Sequence, residues 1–345
     1  MMGNSTSSTT EQRSVTAESS VASDDPANPF ATGGSPTSCN DPILNLANEK
    51  VDIDGIIRGI WSFIFSYTDG PPPEYHPRPI LAMLREIEEL FRSEQTVLEL
   101  DMPQCVVGDL HGQGDTLITL LSLADTPPKR NYLFLGNYTG QGFAPHETLF
   151  LLFALKVKYP FKVHLLKGNL EAAETLMPLA AVIGNKYLCL HGGIGPELRR
   201  VGLARLKEVE RPPVIPLDMA LTMECQWACL RTESAKEKAS ALIPEMLNDG
   251  SPLFSEADVE QFCRENNLQV IIRSRQIANE GVLNLPAQLL TVWSAVSYLD
   301  NFRNMAAVLV VDAEKSLIIR YKQVDMEPES LDDKKPMAGR NAMNI

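Results

Sequence analysis

No stretch of this 345-residue chain is apolar for long enough to cross a bilayer as a helix. An apolar run such as Ile60-Trp61-Ser62-Phe63-Ile64-Phe65 falls far short of the roughly 20 residues a spanning helix needs. No basic cluster occurs either. With 31 Lys and Arg against 44 Asp and Glu, and a net charge of −13, the chain lacks the concentrated positive charge that phosphate backbones demand, which excludes nucleic acid as a partner. The six cysteines stand at irregular spacings with no secretory leader before them, so no disulfide framework is expected and the cytoplasm, the nucleus or both are favoured. Cys225 and Cys229 are one helical turn apart, but no second Cys or His pair completes a zinc site. They read as half-buried thiols.

What the chain does contain is an ordinary globular mixture, 44% hydrophobic and 22% charged, enough to bury a sizeable core. Its organisation changes along its length. Residues 1–40 hold 15 Ser or Thr and almost no large apolar residue, a composition that cannot offset its ordering entropy, so a disordered tail is expected. Residues 41–325 carry the periodic patterns of a folded domain. Residues 326–345 are charged and read as a flexible tail.

Within the domain, Ile53, Ile56, Ile57, Ile60, Trp61 and Ile64 fall at helical spacing, and Pro79-Ile80 opens a second helix whose stripe runs to Phe91. Then a pattern recurs three times: a short apolar strand, a polar turn, a helix. Cys105-Val106-Val107 precedes Gly108-Asp109-Leu110-His111-Gly112-Gln113, Tyr132 to Leu135 precedes Gly136-Asn137-Tyr138-Thr139-Gly140-Gln141-Gly142, and Val163 to Leu166 precedes Gly168-Asn169-Leu170-Glu171. The helices are expected near 116–123 and 146–158. Each polar block sits at a strand's carboxyl end, where open α/β sheets place their sites. A fourth block, His191-Gly192-Gly193, is followed by helices expected over 213–230 and 255–266, with a charged linker over 231–250 between them. Strands are expected over 268–273, 289–294, 305–311 and 316–324, the last two as a hairpin.

These ordered blocks, with Arg273-Ser274-Arg275-Gln276 and Ser294-Ala295-Val296-Ser297-Tyr298, resemble the phosphoprotein phosphatase family of Ser/Thr protein phosphatases, most closely type 1. The likeness covers about 45–325. It implies an α/β fold, the calcineurin-like metallophosphoesterase β-sandwich flanked by helices, with two Mn, Fe or Zn-type ions bridged by one Asp. On that pattern the metal positions are Asp109, His111, Asn137, Asn169 and His191, and the last ligand position reads Arg275. The general-acid position is Leu170, the position that orients the acid is Gly140, and Gln141 stands where an Arg clamps phosphate. Asn248-Asp249-Gly250-Ser251 lacks a second clamping Arg. Tyr298 keeps its place in the pocket, and Arg273 and Arg275 are candidates to receive phosphate where the second metal would lie. His146 and His164 read as ordinary histidines.

The departures can be ranked physically. Two dications about 3.5 Å apart repel by about 20 kcal/mol even at an effective dielectric of roughly 20, so a bridging carboxylate is what makes the pair tolerable. Asn137 removes that charge, and Arg275 adds a permanent positive one that has no lone pair to coordinate with. At most one weakly held divalent ion on Asp109 and His111 is expected, or none. Asp109 and His111 equally suit a capped turn with a hydrogen-bonded imidazole. Leu170 cannot donate a proton, a role worth about 10²–10⁴-fold. The 22 residues from Asn169 to His191 are also fewer than in the family, which removes one wall of the catalytic face; a real deletion and a missing piece of sequence read alike here.

The expectation is therefore a pseudophosphatase, a scaffold for phosphatase regulatory subunits or phosphopeptides; the alternative is a slow or narrow-specificity Ser/Thr phosphatase. The resemblance also implies a groove for short Val-x-Phe-like peptides near the last strands, lined by Val270, Leu317, Ile319 and Tyr321, with Asn284 where an aromatic is expected. These residues equally suit a sandwich core.

Overall fold

The structure, a computed structural model, describes residues 51–66, 76–172, 175–231, 250–300, 302–314, 317–321 and 343–344. The tail expected over 1–40, the linker centre at 232–249 and most of 326–345 lie outside the described residues. Two six-stranded sheets face each other. In the first, β1 (Val97–Leu100), β5 (Ala180–Ile183), β6 (Tyr187–Leu190), β9 (Val270–Arg273), β11 (Leu289–Val292) and β10 (Val282–Leu285) lie in that order. In the second the order is β14 (Met343–Asn344), β13 (Leu317–Tyr321), β12 (Ala306–Val311), β2 (Gln104–Val107), β3 (Tyr132–Phe134) and β4 (Val163–Leu165).

Alternation along the strands fills the space between the sheets. Val106, Leu133, Leu135 and Leu309 of the second sheet meet Ala181, Cys189, Ile272 and Val292 of the first in one buried cluster. The outer faces are covered by helices. α1 (Ile53–Ser66), α2 (Pro77–Ser93), α3 (Gly114–Ala124) and α4 (Pro145–Lys158) pack their apolar stripes on the second sheet, with Met83, Leu117 and Leu151 wholly buried. α5 (Pro196–Leu206), α6 (Pro216–Trp227) and α7 (Glu256–Glu265) cover the first, around Leu198, Leu221 and Phe262. A two-stranded ribbon, β7 (Cys229–Leu230) and β8 (Leu253–Phe254), follows α6. α7 starts on a reciprocal cap in which Ser255 Oγ accepts from the Asp258 N–H and the Asp258 carboxylate accepts from the Ser255 N–H.

The β-sandwich with flanking helices is as expected, and β2-α3 and β3-α4 reproduce the repeated unit, with β2, β3 and β4 parallel; the third repeat lacks its helix, because among the described residues β4 is followed by β5. Several details differ. The helix expected over 213–230 stops at Trp227 and the chain turns into β7, while β1, β5, β6, β10 and α5 were not anticipated. β12 and β13 do pair antiparallel. β13, however, is not an open edge along its length, because Ile319 and Arg320 pair with Asn344 and Met343, so the implied strand-addition site is covered there by the chain itself. Val270 belongs to the inter-sheet packing. Cys225 and Cys229 are fully buried rather than half-buried, and neither is disulfide-bonded.

Candidate functional site

The turns after β2, β3, β4, β6, β9 and β11 converge at one end of the sandwich. Close backbone approach there requires glycine: a Cβ on Gly108 would lie 2.1 Å from the Val292 carbonyl oxygen, and one on Gly136 would lie 2.4 Å from Gly168. Two hydroxyls stitch the sheets together beneath the site. Ser294 Oγ accepts from the Gly108 N–H at 2.8 Å and donates to the Ala307 carbonyl, and Ser274 Oγ accepts from the Asp109 N–H at 2.8 Å and donates to the Val292 carbonyl. The Asn137 carbonyl accepts from the Leu110 and His111 N–H groups, joining the first two polar blocks.

Asp109 is the centre of the network and is buried. Its Oδ2 accepts from Asn137 Nδ2 at 2.8 Å and lies 3.1 Å from His111 Nε2, while Oδ1 accepts from the Arg275 N–H at 3.1 Å and lies 3.5 Å from His191 Nδ1. Burial alone pushes this carboxyl upward, but the facing imidazoles and Ser274 hold it well below the usual range. Asn137 Nδ2 donates a second bond, to Asn169 Oδ1 at 3.1 Å, and its Oδ1 accepts from the Leu170 N–H at 3.0 Å. The amide thus ties Asp109, Asn169 and Leu170 together from the position where a bridging carboxylate would stand. His111, Asn137 and Arg275 all have left-handed backbone, with φ of 48°, 57° and 61°. Such positions cost about 1–3 kcal/mol each outside glycine and cluster at functional sites.

His191 is wholly buried, with Nδ1 3.1 Å from the Leu135 carbonyl and Nε2 2.7 Å from Asn169 Oδ1. Two oxygen neighbours favour a second proton on the ring, but burial prevails and, with the charges of Arg275 and Arg273, brings its pKa down to about 4 despite the opposing Asp109 carboxylate. A depressed folded pKa makes stability complete above the unfolded value near 6.5 and lost as pH falls toward 4, by about 3 kcal/mol over that window. Urea unfolding at pH 7 and pH 4 should show this loss, reduced in His191→Gln; stability that holds or rises on acidification would contradict it.

Glu171, the last residue of the third polar block, binds the turns together. Its carboxylate accepts from the Asn137 N–H at 3.0 Å, the Tyr138 N–H at 3.0 Å and the Gly168 N–H at 2.7 Å, and burial raises its pKa against the pull of those bonds. The available signal was an acidic residue directly after a glycine turn. Because three N–H donors lose a charged acceptor, Glu171→Ala should cost about 2–3 kcal/mol in denaturant unfolding.

Both arginines depart from expectation. Arg273 is fully buried and donates to the Gly192 and Ala228 carbonyls and to Gln276 Oε1, a structural use that leaves it out of reach of a bound phosphate. Arg275 turns its guanidinium onto the Trp227 ring, 4.6 Å from the centroid, donating from Nε to the Trp227 carbonyl and from Nη2 to Ser251 Oγ. It meets the Asp109 network through its backbone, not by projecting toward a metal. Asn248 and Asp249 lie outside the described residues.

Leu170 is 47% exposed at the general-acid position, and Gly140 backs onto His111, where a Cβ would sit 3.0 Å from Nδ1. Tyr298 does line the adjacent cleft, about 390 Å³, together with His111, Asp115, Gln141 and Phe143. Its ring lies 4.6 Å from that of His111.

The profile of the calcineurin-like phosphoesterase family matches residues 102–274, half of the chain, and spans the turns after β2, β3, β4 and β6. The chain belongs to the calcineurin-like phosphoesterase family. Within it the chain is similar to Ser/Thr protein phosphatases. It is 30% identical to the serine/threonine-protein phosphatase BSL2 of Arabidopsis thaliana over 282 residues, 71% of this chain but only 27% of that protein. The chain therefore spans little more than a quarter of that relative. A Saccharomyces cerevisiae Ser/Thr phosphatase described as similar to human PP5 has the same fold, with a TM-score of 0.62, 24% identity, and coverage of 74% of this chain and 93% of that one.

Calcineurin-like phosphoesterases generally use divalent metals, so the donor set matters. Among the described residues no group of three or more His, Cys, Asp or Glu is arranged to hold a metal ion. The bridging position presents an amide N–H₂ to Asp109 and Asn169, and N–H donors cannot coordinate a cation. The residues present do not fit a binuclear centre.

Proposed function

We propose that this phosphatase-family protein is a pseudophosphatase: it binds regulatory subunits or phosphorylated segments of other proteins through a phosphatase-shaped surface and does not hydrolyse phosphoesters. The observation that carries this reading is the Asn137 amide, which bonds at once to Asp109, Asn169 and Leu170 in the place of the bridge. Leu170 and Gly140 support it by leaving no proton donor and no group to orient one. Five unpaired, buried thiols among the described residues support a reducing compartment, cytoplasm or nucleus. No helix among the described residues is long and apolar enough to cross a membrane. The test is metal content measured together with phosphopeptide hydrolysis in excess Mn²⁺. Two bound metals with turnover abolished in Asp109→Ala would establish instead a working phosphatase.

A further inference from the structure

Ahead of α6 the chain presents an apolar stretch to solvent. Pro212-Pro213-Val214-Ile215 leads into Pro216, the first residue of that helix, and of these five only Pro213 is half-buried. Val214 is 71% exposed and Ile215 49%. The prolines dictate the backbone here. Their rings fix φ at roughly −65° at 212, 213 and 216, and Pro213 and Pro216 confine the residues before them, Pro212 and Ile215, to extended backbone. Ile215 is found there, at φ −90° and ψ 151°. This is the polyproline II region, a helix of three residues per turn without internal hydrogen bonds. Residues 212 and 215 therefore share one edge and residues 213 and 216 a second. The two pairs Pro212-Pro213 and Ile215-Pro216 form one face, and Val214 stands on the third edge.

The segment is mounted rigidly. Arg211, directly before it, donates to the Leu176, Glu94 and Phe91 carbonyls and to Thr96 Oγ1. At its other end α6 begins on Pro216 and packs through Leu221 and Cys225 into the core. A partner therefore meets a preformed ridge and is spared the entropy cost of ordering it. Among the described residues no hydrogen bond ends on the carbonyls of Pro212, Pro213 or Val214, which leaves three acceptors facing outward from the core bonding. Charge narrows the partner further. The guanidinium of Arg211 is consumed by its four acceptors, and Lys207 is paired with Glu99. The exposed charges beside the prolines are Glu208 and Glu210, neither of which forms an ion pair among the described residues.

We propose that residues 212–216 are a docking ridge for a partner domain whose aromatic-lined groove takes polyproline II segments and whose rim is basic, facing Glu208 and Glu210. Aromatic rings of the groove pack on the proline rings and Ile215, and their indole N–H or phenol O–H groups donate to the carbonyls of residues 212–214. The ridge lies at the opposite end of α6 from Trp227, about 16 Å along the helix axis. It stands apart from the converging turns, and the assignment does not depend on the proposed lack of hydrolysis.

The test is a calorimetric titration of the full chain with a set of purified WW and SH3 domains, chosen to include grooves with basic and with acidic rims. Saturable binding is expected from domains with basic rims, weakened at least about tenfold by Pro213→Ala or Ile215→Ala, as the loss of a buried apolar body implies. Ile215 is half in solvent, so its variant decides the matter if Pro213→Ala does not fold. Val214→Ala, on the third edge, should leave the affinity within about twofold, and Glu210→Lys should lower it. Absence of binding by every domain in the set would overturn the proposal. So would a loss in Val214→Ala as large as that in Ile215→Ala, the pattern of a general apolar contact and not of a three-residue helix, or binding that Glu210→Lys strengthens.

Discussion

Given a phosphoserine peptide and excess Mn²⁺, the protein is expected to release phosphate at least about 10⁴-fold more slowly than a phosphatase with an intact site, and Leu170→His is expected to leave the rate there. The missing general acid alone accounts for about 10²–10⁴-fold. Loss of positive charge at Gln141 removes transition-state stabilisation, for which single donors are worth about 10²–10³-fold. The losses do not simply multiply, because such groups act as a unit. That is also why one reversion fails. An imidazole at 170 would stand half-exposed on a backbone already tied to Asn137 Oδ1, but Gly140 has no carboxylate to orient it. A carboxylate added at 140 would meet His111, since even a Cβ there falls 3.0 Å from its ring. Metal-dependent turnover in the unaltered protein, or its appearance in Leu170→His, would refute this account.

The parts of the fold that were legible in the sequence are those with local causes. Strand, glycine turn and helix recur with their own punctuation, so β2, β3, β4, α3 and α4 could be placed from residue pattern, and the ordered motifs named the family. β1, β5 and β6 escaped because a four-residue strand such as Ala180–Ile183 is defined by its neighbours, Val97–Leu100 on one side and Tyr187–Leu190 on the other, more than by its own period. β10, which pairs antiparallel with the expected strand β11, escaped for the same reason. In the site, the identities of Asp109, Asn137, Asn169, Leu170 and His191 could be read, and the fold brings these residues together. The directions of side chains could not. Arg275 was expected to face a metal position, yet its left-handed backbone and the distant Trp227 ring turn it aside. Arg273 is consumed by carbonyls of Gly192 and Ala228, groups that no sequence pattern marks. Glu171 serves N–H groups from two loops more than 30 residues apart, a non-local role hidden in a local motif.

Asn137→Asp, nearly isosteric and formally a restoration of the family residue, is expected to destabilise the metal-free protein by about 3–5 kcal/mol. The wild-type amide donates to Asp109 Oδ2 at 2.8 Å and to Asn169 Oδ1 at 3.1 Å. A carboxylate in its place turns both contacts into oxygen facing oxygen, and it sets a second negative charge against the buried Asp109. Two carboxylates sharing such a site cannot both ionise, so one must take up a proton at neutral pH. That cost falls on the folded state alone, since the unfolded chain keeps both groups in water. Divalent metal provides the discriminating arm. Millimolar Mn²⁺ should leave the unfolding midpoint of the unaltered protein where it is, because its bridge position carries no charge, turns its N–H₂ to Asp109 and Asn169 and has its oxygen held by the Leu170 N–H, and should recover part of the loss in Asn137→Asp, where a ligand has been returned. The recovery stays partial, since the last ligand position is Arg275, held on Trp227. An Asn137→Asp variant as stable as the parent without metal would mean that the amide does not hold this centre together, and the reading of Asn137 as the replacement for the metal bridge would fall with it.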